Sequence, residues 1–331
     1  SFTAGRDTAW HSNRTDRCSD FNLAFETQQN RVVIMQLDAN HLSFAYSPQR
    51  TVLHDISLTV KSGETLYILG RNGSGKTTLL SCLAGLLKPE SGRVILNGNL
   101  IGQYSATERA KLLGLIPQEH MPVFAYTVEE IVMMVRGPHL GWFGSPKRED
   151  RRITSEAMEQ VGISELKNRP YTQISGGERQ LVLIARGLAQ KCQVLLMDEP
   201  TTHLDLSNQH RVLEIIQQLS RQGLSFVIST HAPNDALTYA DRVLLLTGGW
   251  VTEYGAPQDV LTESLLSTVY GIQTEVIYEK DQDRLIPRAV LPRRPESVLP
   301  STLDHPGSLL AAVFAKGEEK PQILIVTGLS G

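Results

Sequence analysis

One glycine-rich stretch, Gly70-Arg71-Asn72-Gly73-Ser74-Gly75-Lys76-Thr77-Thr78, constrains this chain more than any other feature. It follows the apolar run 65–69, which reads as a buried strand, and it opens the leucine-rich segment 76–87, which reads as a helix. A strand feeding a helix through such a loop belongs to an α/β architecture. The glycines let the backbone curl so that its N–H groups point inward, and the helix N-terminus adds partial positive charge. The spacing fits the Walker A pattern, a cradle for the phosphates of a nucleotide. Gly70, Asn72, Gly73, Ser74, Gly75 and Thr78 are the candidate cradle residues. Lys76 is placed to reach the β- and γ-phosphates, and the Thr77 hydroxyl to ligate Mg2+.

The surrounding pattern supports a layered α/β protein. Leu42, Phe44 and Tyr46 alternate, as do Ile56, Leu58 and Val60, before a turn at Lys61-Ser62-Gly63-Glu64. A strand at 94–96 precedes the Asn97-Gly98 turn. Residues 125–190 are mostly helical by period. Beyond them come strand 194–197, helix 207–221, strand 225–229, helix 234–240, strand 243–247 and a Gly248-Gly249 turn. This alternation predicts a parallel sheet covered on both faces.

The ends read differently. Segment 1–34 is polar and without period, and it begins at Ser1; Met35 is the expected native start, the alternative being a disordered extension. Segment 280–306, rich in Pro, Arg and Asp, reads as a linker, its arginines (Arg284, Arg288, Arg293, Arg294) as a solvated tail. Residues 322–331 read as a strand running into a turn, as where a further unit begins.

Composition narrows the function. The chain has 331 residues and a net charge of −3, which implies no general polyanion-binding surface. Cys18, Cys82 and Cys192 are too scattered for a disulfide framework or a zinc site, and a reducing compartment suits them. No apolar run approaches the roughly 18 residues that span a bilayer. Work at a membrane would require docking to a partner.

Two further motifs complete the set. Met197-Asp198-Glu199-Pro200 ends a strand, the Walker B position. Asp198 there would hold the metal, and Glu199 could polarise an attacking water as general base. Ser175-Gly176-Gly177-Glu178-Arg179-Gln180 opens a helix with a capping box. Two glycines after a cap cost about 1 kcal/mol each in a helix. A need for bare N–H groups facing phosphate would explain them.

With these residues in the order Lys76, Gln118, Ser175, Asp198-Glu199, His231, segment 35–272 resembles the ABC ATPases, whose signature motif the sextet 175–180 matches. The resemblance implies a P-loop NTPase (RecA-like) core, an antiparallel β subdomain and an inserted helical subdomain at about 119–190. It implies a homodimer of ATPase subunits packed head to tail, each ATP held between one chain's Walker A and the other's signature. Ser175, Gly176 and Gly177 would then meet the γ-phosphate in trans. Gln118 looks like the Q-loop glutamine, touching Mg2+ and coupling to a membrane partner. Thr202-His203-Leu204-Asp205 looks like the D-loop, with His203 where a small residue is common. His231 looks like the switch histidine, and Tyr46 like the aromatic that stacks on adenine, with Phe44 the less favoured choice.

Lys76 and Ser175 stand too close in sequence for the long coiled-coil or zinc insertions of DNA-repair and chromosome types. Only one such domain is present, unlike the ribosome-associated types. The resemblance therefore implies a transporter subunit on the cytoplasmic face of the membrane, bound to an integral permease and served indirectly by a substrate-binding protein. Segment 128–144, with Arg136-Gly137-Pro138-His139-Leu140-Gly141-Trp142-Phe143-Gly144, resembles importers of iron–siderophore, haem, cobalamin and similar chelates, unless that loop is a mark of lineage alone. No nucleic acid partner is expected. The alternative is a soluble ABC ATPase acting on ribosome or nucleic acid. Segment 273–331 would be either a regulatory addition or the start of a fused domain.

Overall fold

The computed structural model describes residues 35–118, 126–139, 145–281 and 284–290. The extension 1–34, the loop 140–144, the linker beyond 290 and the strand expected at 322–331 lie outside the described residues.

Two sheets stack around one helix. The first is antiparallel, in the order β2-β1-β4-β5, built from β1 (Gln36–Ser47), β2 (Arg50–Lys61), β4 (Ser91–Leu96) and β5 (Asn99–Leu100). Asn97 and Gly98 between β4 and β5 both have positive φ, 51° and 82°, the geometry of a tight hairpin turn. The second sheet has six strands in the order β10-β9-β3-β8-β7-β6. Its members are β3 (Thr65–Leu69), β6 (Leu113–Ile116), β7 (Val194–Asp198), β8 (Ser225–Thr230), β9 (Arg242–Thr247) and β10 (Trp250–Gly255), all parallel except β10.

The central strands are apolar on both faces because both faces are covered. Helix α1 (Lys76–Leu83) lies between the sheets. Its Leu79, Leu80 and Leu83 share a core with Leu37, Leu42 and Ile56 of the antiparallel sheet and with Leu66, Ile68 and Leu196 of the parallel one. The alternate residues Tyr67, Leu69, Leu195 and Met197 face a second core, filled by the helices that follow. These are α2 (Ala106–Leu112), α3 (Val128–Met133), α4 (Arg148–Gln160), α5 (Gly176–Gln190), α6 (Leu206–Arg221), α7 (Pro233–Tyr239), α8 (Pro257–Val260) and α9 (Glu263–Tyr270). All of them but α2 place side chains in that second core. No helix among the described residues is long and apolar enough to cross a membrane.

Three expectations change. Helix α1 stops at Leu83, not at residue 87. Gly85, at φ 66°, closes it with Leu86 N–H donating to Ser81 O and Gly85 N–H to Cys82 O, which satisfies its last carbonyls. Part of the segment read as linker is a hairpin of β11 (Glu275–Asp281) and β12 (Arg284–Val290). Arg136, named within the run 136–144, is buried rather than part of an open loop. Its Nε donates to Asp150 Oδ1 at 3.0 Å and its Nη1 to Ala189 O at 2.9 Å, which ties the turn after α3 to both α4 and α5.

Candidate nucleotide site

The loop between β3 and α1 closes on its own backbone. Gly73 and Gly75 have φ of 81° and 104°, which side chains other than glycine rarely adopt. A Cβ on Gly70 would lie 2.3 Å from Leu246 O and 2.6 Å from Ser74 Oγ, so only glycine fits where β3 enters the loop. Lys76 turns back across the loop, its Nζ donating to Gly70 O at 2.9 Å and Arg71 O at 3.3 Å. The same Nζ lies 3.3 Å from Glu199 Oε1, and both side chains are largely buried.

Glu199 follows the end of β7, where parallel pairing sets Asp198 beside Ser229 of β8. Thr77 Oγ1 donates to Asp198 Oδ2 at 2.7 Å, and the Ser229 hydroxyl donates to the other carboxylate oxygen. Thr77 and Asp198 thus present hard oxygen donors side by side, the chemistry that suits Mg2+. Glu199 has φ 47°, unusual for a residue with a side chain. It is held there by donating its N–H to Ser229 O at 3.1 Å and Ser229 Oγ at 3.0 Å. Its Oε2 accepts from Thr202 Oγ1 at 3.0 Å and lies 3.0 Å from His231 Nδ1. Burial pushes the Glu199 carboxyl up, but Thr202, Lys76 and His231 together outweigh it and hold it below the ordinary 4.5. The group is therefore an ionised base at neutral pH, beside a half-exposed histidine.

Tyr46 and Phe44 separate clearly. Phe44 is buried in the core, edge-on to Tyr46. Tyr46 is 57 % exposed, with its hydroxyl 3.3 Å from Thr78 Oγ1 at the start of α1, so its ring borders the phosphate loop. Gln118 is exposed two residues beyond β6, whose Ile116 pairs with Met197. It makes no hydrogen bond to Thr77 or Asp198 among the described residues.

A second cluster stands apart. Ser175 caps α5, its Oγ accepting from Glu178 N at 3.3 Å while Glu178 Oε2 accepts from Ser175 N at 2.7 Å. Asp205 caps α6, accepting from Asn208 N at 2.8 Å and Asn208 Nδ2 at 3.0 Å. A Cβ on Gly177 would fall 2.4 Å from Cγ of that same Asn208, whereas one on Gly176 would meet nothing nearer than Leu204 Cδ2 at 3.9 Å. Packing within the chain therefore requires Gly177 but leaves Gly176 without such a reason. Among the described residues no hydrogen bond or ion pair joins Ser175, Gly176, Gly177 or Asp205 to residues 70–78 or to Glu199.

Sequence reasoning overlooked Ser229 and Thr202, which hold Asp198 and Glu199. The one signal in the sequence was that Ser229 lies two residues before His231; the register that sets it opposite Asp198 is visible only in the sheet.

Residues 53–202 match the family model described as ABC transporter. A hemin import ATP-binding protein of Rhodococcus jostii is 38% identical over 246 residues, covering 74% of this chain and 82% of that protein. An iron(3+)-hydroxamate import ATP-binding protein of Bacillus subtilis is 34% identical over 242 residues, covering 73% and 90%. A solved metal-chelate type ABC transporter in an inward-facing conformation matches with TM-score 0.71 at 30% identity, covering 80% of this chain and 100% of that one. With a Walker A loop, paired strand-end acids and a capped signature helix on a matching fold, the chain belongs to the ABC transporter ATP-binding family and is an ATPase.

Proposed function

We propose that this chain energises import of a metal chelate, of the iron–siderophore, haem or cobalamin kind, through a separate membrane permease. The observation that carries this reading is that relatives matched over more than four fifths of their length are named for hemin and iron(3+)-hydroxamate import. The metal-chelate type transporter of known structure supports it, since its matched chain is covered completely. Such a subunit sits on the cytoplasmic face of the membrane against the permease, and a substrate-binding protein delivers cargo to the other side.

The site divides its labour as follows. Residues 70–78 hold the phosphates of ATP through backbone N–H groups, and Tyr46 offers a face to the adenine. Thr77 and Asp198, joined by Gln118, would hold Mg2+, which neutralises phosphate charge when bound. Lys76 leaves Glu199 for the terminal phosphate oxygens. Glu199, released, accepts a proton from a water whose oxygen bonds to the γ-phosphorus as the bond to the ADP oxygen breaks. His231 orients the leaving phosphoryl oxygens.

The separation of the two clusters in one chain fits completion in trans. Ser175, Gly176 and Gly177 present helix-terminal N–H groups, and a second copy packed head to tail brings them to the γ-phosphate, with Asp205 at the seam. Gly176, whose absent side chain answers no packing need here, is the position where that close approach explains the residue. ATP then holds the dimer together and hydrolysis releases it.

Affinity purification of the chain from detergent-solubilised membranes of its native cells, with mass spectrometry, tests the transport reading. A polytopic permease is expected to accompany it. Recovery only with ribosomes or nucleic acid would overturn transport and leave the ATPase assignment standing.

A further inference from the structure

The end of α9 touches both halves of the phosphate site. Tyr270 is its last residue, and its hydroxyl donates to the backbone oxygen of His231 at 3.0 Å. Gly271 follows at φ 69°, and a Cβ there would lie 4.0 Å from Nη1 of Arg71, a member of the phosphate loop. Val269 lines, with Arg71, Asn72 and Thr247, a cavity of about 260 Å3 beside that loop. Leu266 and Val269 anchor α9 in the second core. This helix is therefore a fixed point against which the two loops are registered.

The hairpin that follows clamps the other side of the same histidine. His231 leads directly into α7. Asn234 in the first turn of α7 bonds twice to the backbone of β12, Nδ2 donating to Ala289 O at 3.3 Å and Oδ1 accepting from Ala289 N at 2.8 Å. Glu263 at the start of α9 accepts from Val276 N of β11 at 2.9 Å. His231 itself is half exposed, and among the described residues its imidazole hydrogen-bonds to Glu199. Its ring direction is thus set by its backbone, and the backbone is held by Tyr270 and by the clamped α7.

We propose that Tyr270 is a positioning residue for ATP hydrolysis, fixing the carbonyl of His231 so that the imidazole stays aimed at Glu199 and the phosphate, with the 275–290 hairpin locking the adjoining helix. Burial pushes the Tyr270 phenol up to about 12, so it remains a donor throughout the working pH range. The inference rests on the role given to His231 above.

The test is a kinetic double-mutant cycle on the full chain, with phosphate release and nucleotide binding measured separately. Tyr270→Phe keeps the ring and its packing and removes one hydrogen bond. It is expected to lower kcat on the order of three- to ten-fold, as expected for one hydrogen bond, with KM for ATP and nucleotide affinity unchanged. Asn234→Ala should act in the same direction by freeing α7 from β12. In a His231→Ala background Tyr270→Phe should cost nothing further, because the side chain it positions is gone. A wild-type kcat for Tyr270→Phe beside a slow His231→Ala would overturn the positioning role and spare the role of His231. An equal loss from Tyr270→Phe in both backgrounds would reduce it to general structural support, also overturning it. Normal turnover in His231→Ala would overturn the reading of His231 and this inference together.

Discussion

Replacing Glu199 with glutamine should make the protein bind ATP more tightly while it stops hydrolysing it. Lys76 Nζ and Glu199 Oε1 are 3.3 Å apart in a largely buried setting. At an effective dielectric of about 20 the gross attraction at that distance is about 5 kcal/mol. Desolvation of both groups offsets most of it, and a net of about 1–2 kcal/mol is a reasonable scale for what ATP must overcome to recruit the lysine. Glutamine removes that competition. The expected gain in affinity is therefore about 5- to 30-fold, while loss of the base should lower turnover by at least about 100-fold. Because the Glu199 carboxyl is held below the ordinary 4.5, the pair's contribution is complete above that value and fades only as pH falls through the lowered pKa. The affinity difference should then be flat from about pH 6 to 8. Titration with a fluorescent ATP analogue and a phosphate-release assay at several pH values measure both quantities. Equal or weaker ATP binding by Glu199→Gln would refute the competition argument, and normal turnover would refute the general base.

Lys76→Ala should weaken ATP binding itself, since the phosphates lose their cation, and a binding titration reads this directly. Ser175→Arg should abolish phosphate release and leave binding to the chain's own phosphate loop near wild type; full activity would argue against a shared site. Tyr46→Ala should cost about 1–3 kcal/mol of nucleotide affinity if its exposed face stacks on the base, and an undiminished affinity would remove that role. Arg136→Ala should lower stability by about 3–5 kcal/mol, because the buried Asp150 loses its ion-pair partner, whereas changing both to well-packed apolar residues should restore most of it in denaturant unfolding.

What could be read beforehand was what is local. The phosphate loop and the strand-end acids are contiguous in sequence, and their flanking apolar runs name the elements that carry them. The core strands were legible because burial on both faces leaves unbroken apolar runs such as 194–197. What escaped depends on distant partners. Ser229 matters only because β8 lies beside β7 in one register. Gly177 answers to Asn208, thirty-one residues on, so the cost of its helix position has a packing cause that no local pattern shows. Strand β12 and the end of β11 fall in the segment 280–306 that reads as linker, because Pro287 and its charged neighbours speak against a strand. A two-stranded ribbon tolerates them, Pro287 pairing with Tyr278. Arg136 is a further case, since its buried partner Asp150 lies fourteen residues on, across a turn between two helices.

The phosphate site of one chain is expected to be finished by the signature of another. The mass of the Glu199→Gln chain in solution, by sedimentation or light scattering with and without Mg2+-ATP, tests it most directly. The expected result is a monomer without nucleotide, a dimer with it, and a monomer again when Ser175→Arg is added although ATP stays bound. A chain that binds ATP and remains monomeric throughout, or whose dimer is indifferent to Ser175→Arg, would contradict it.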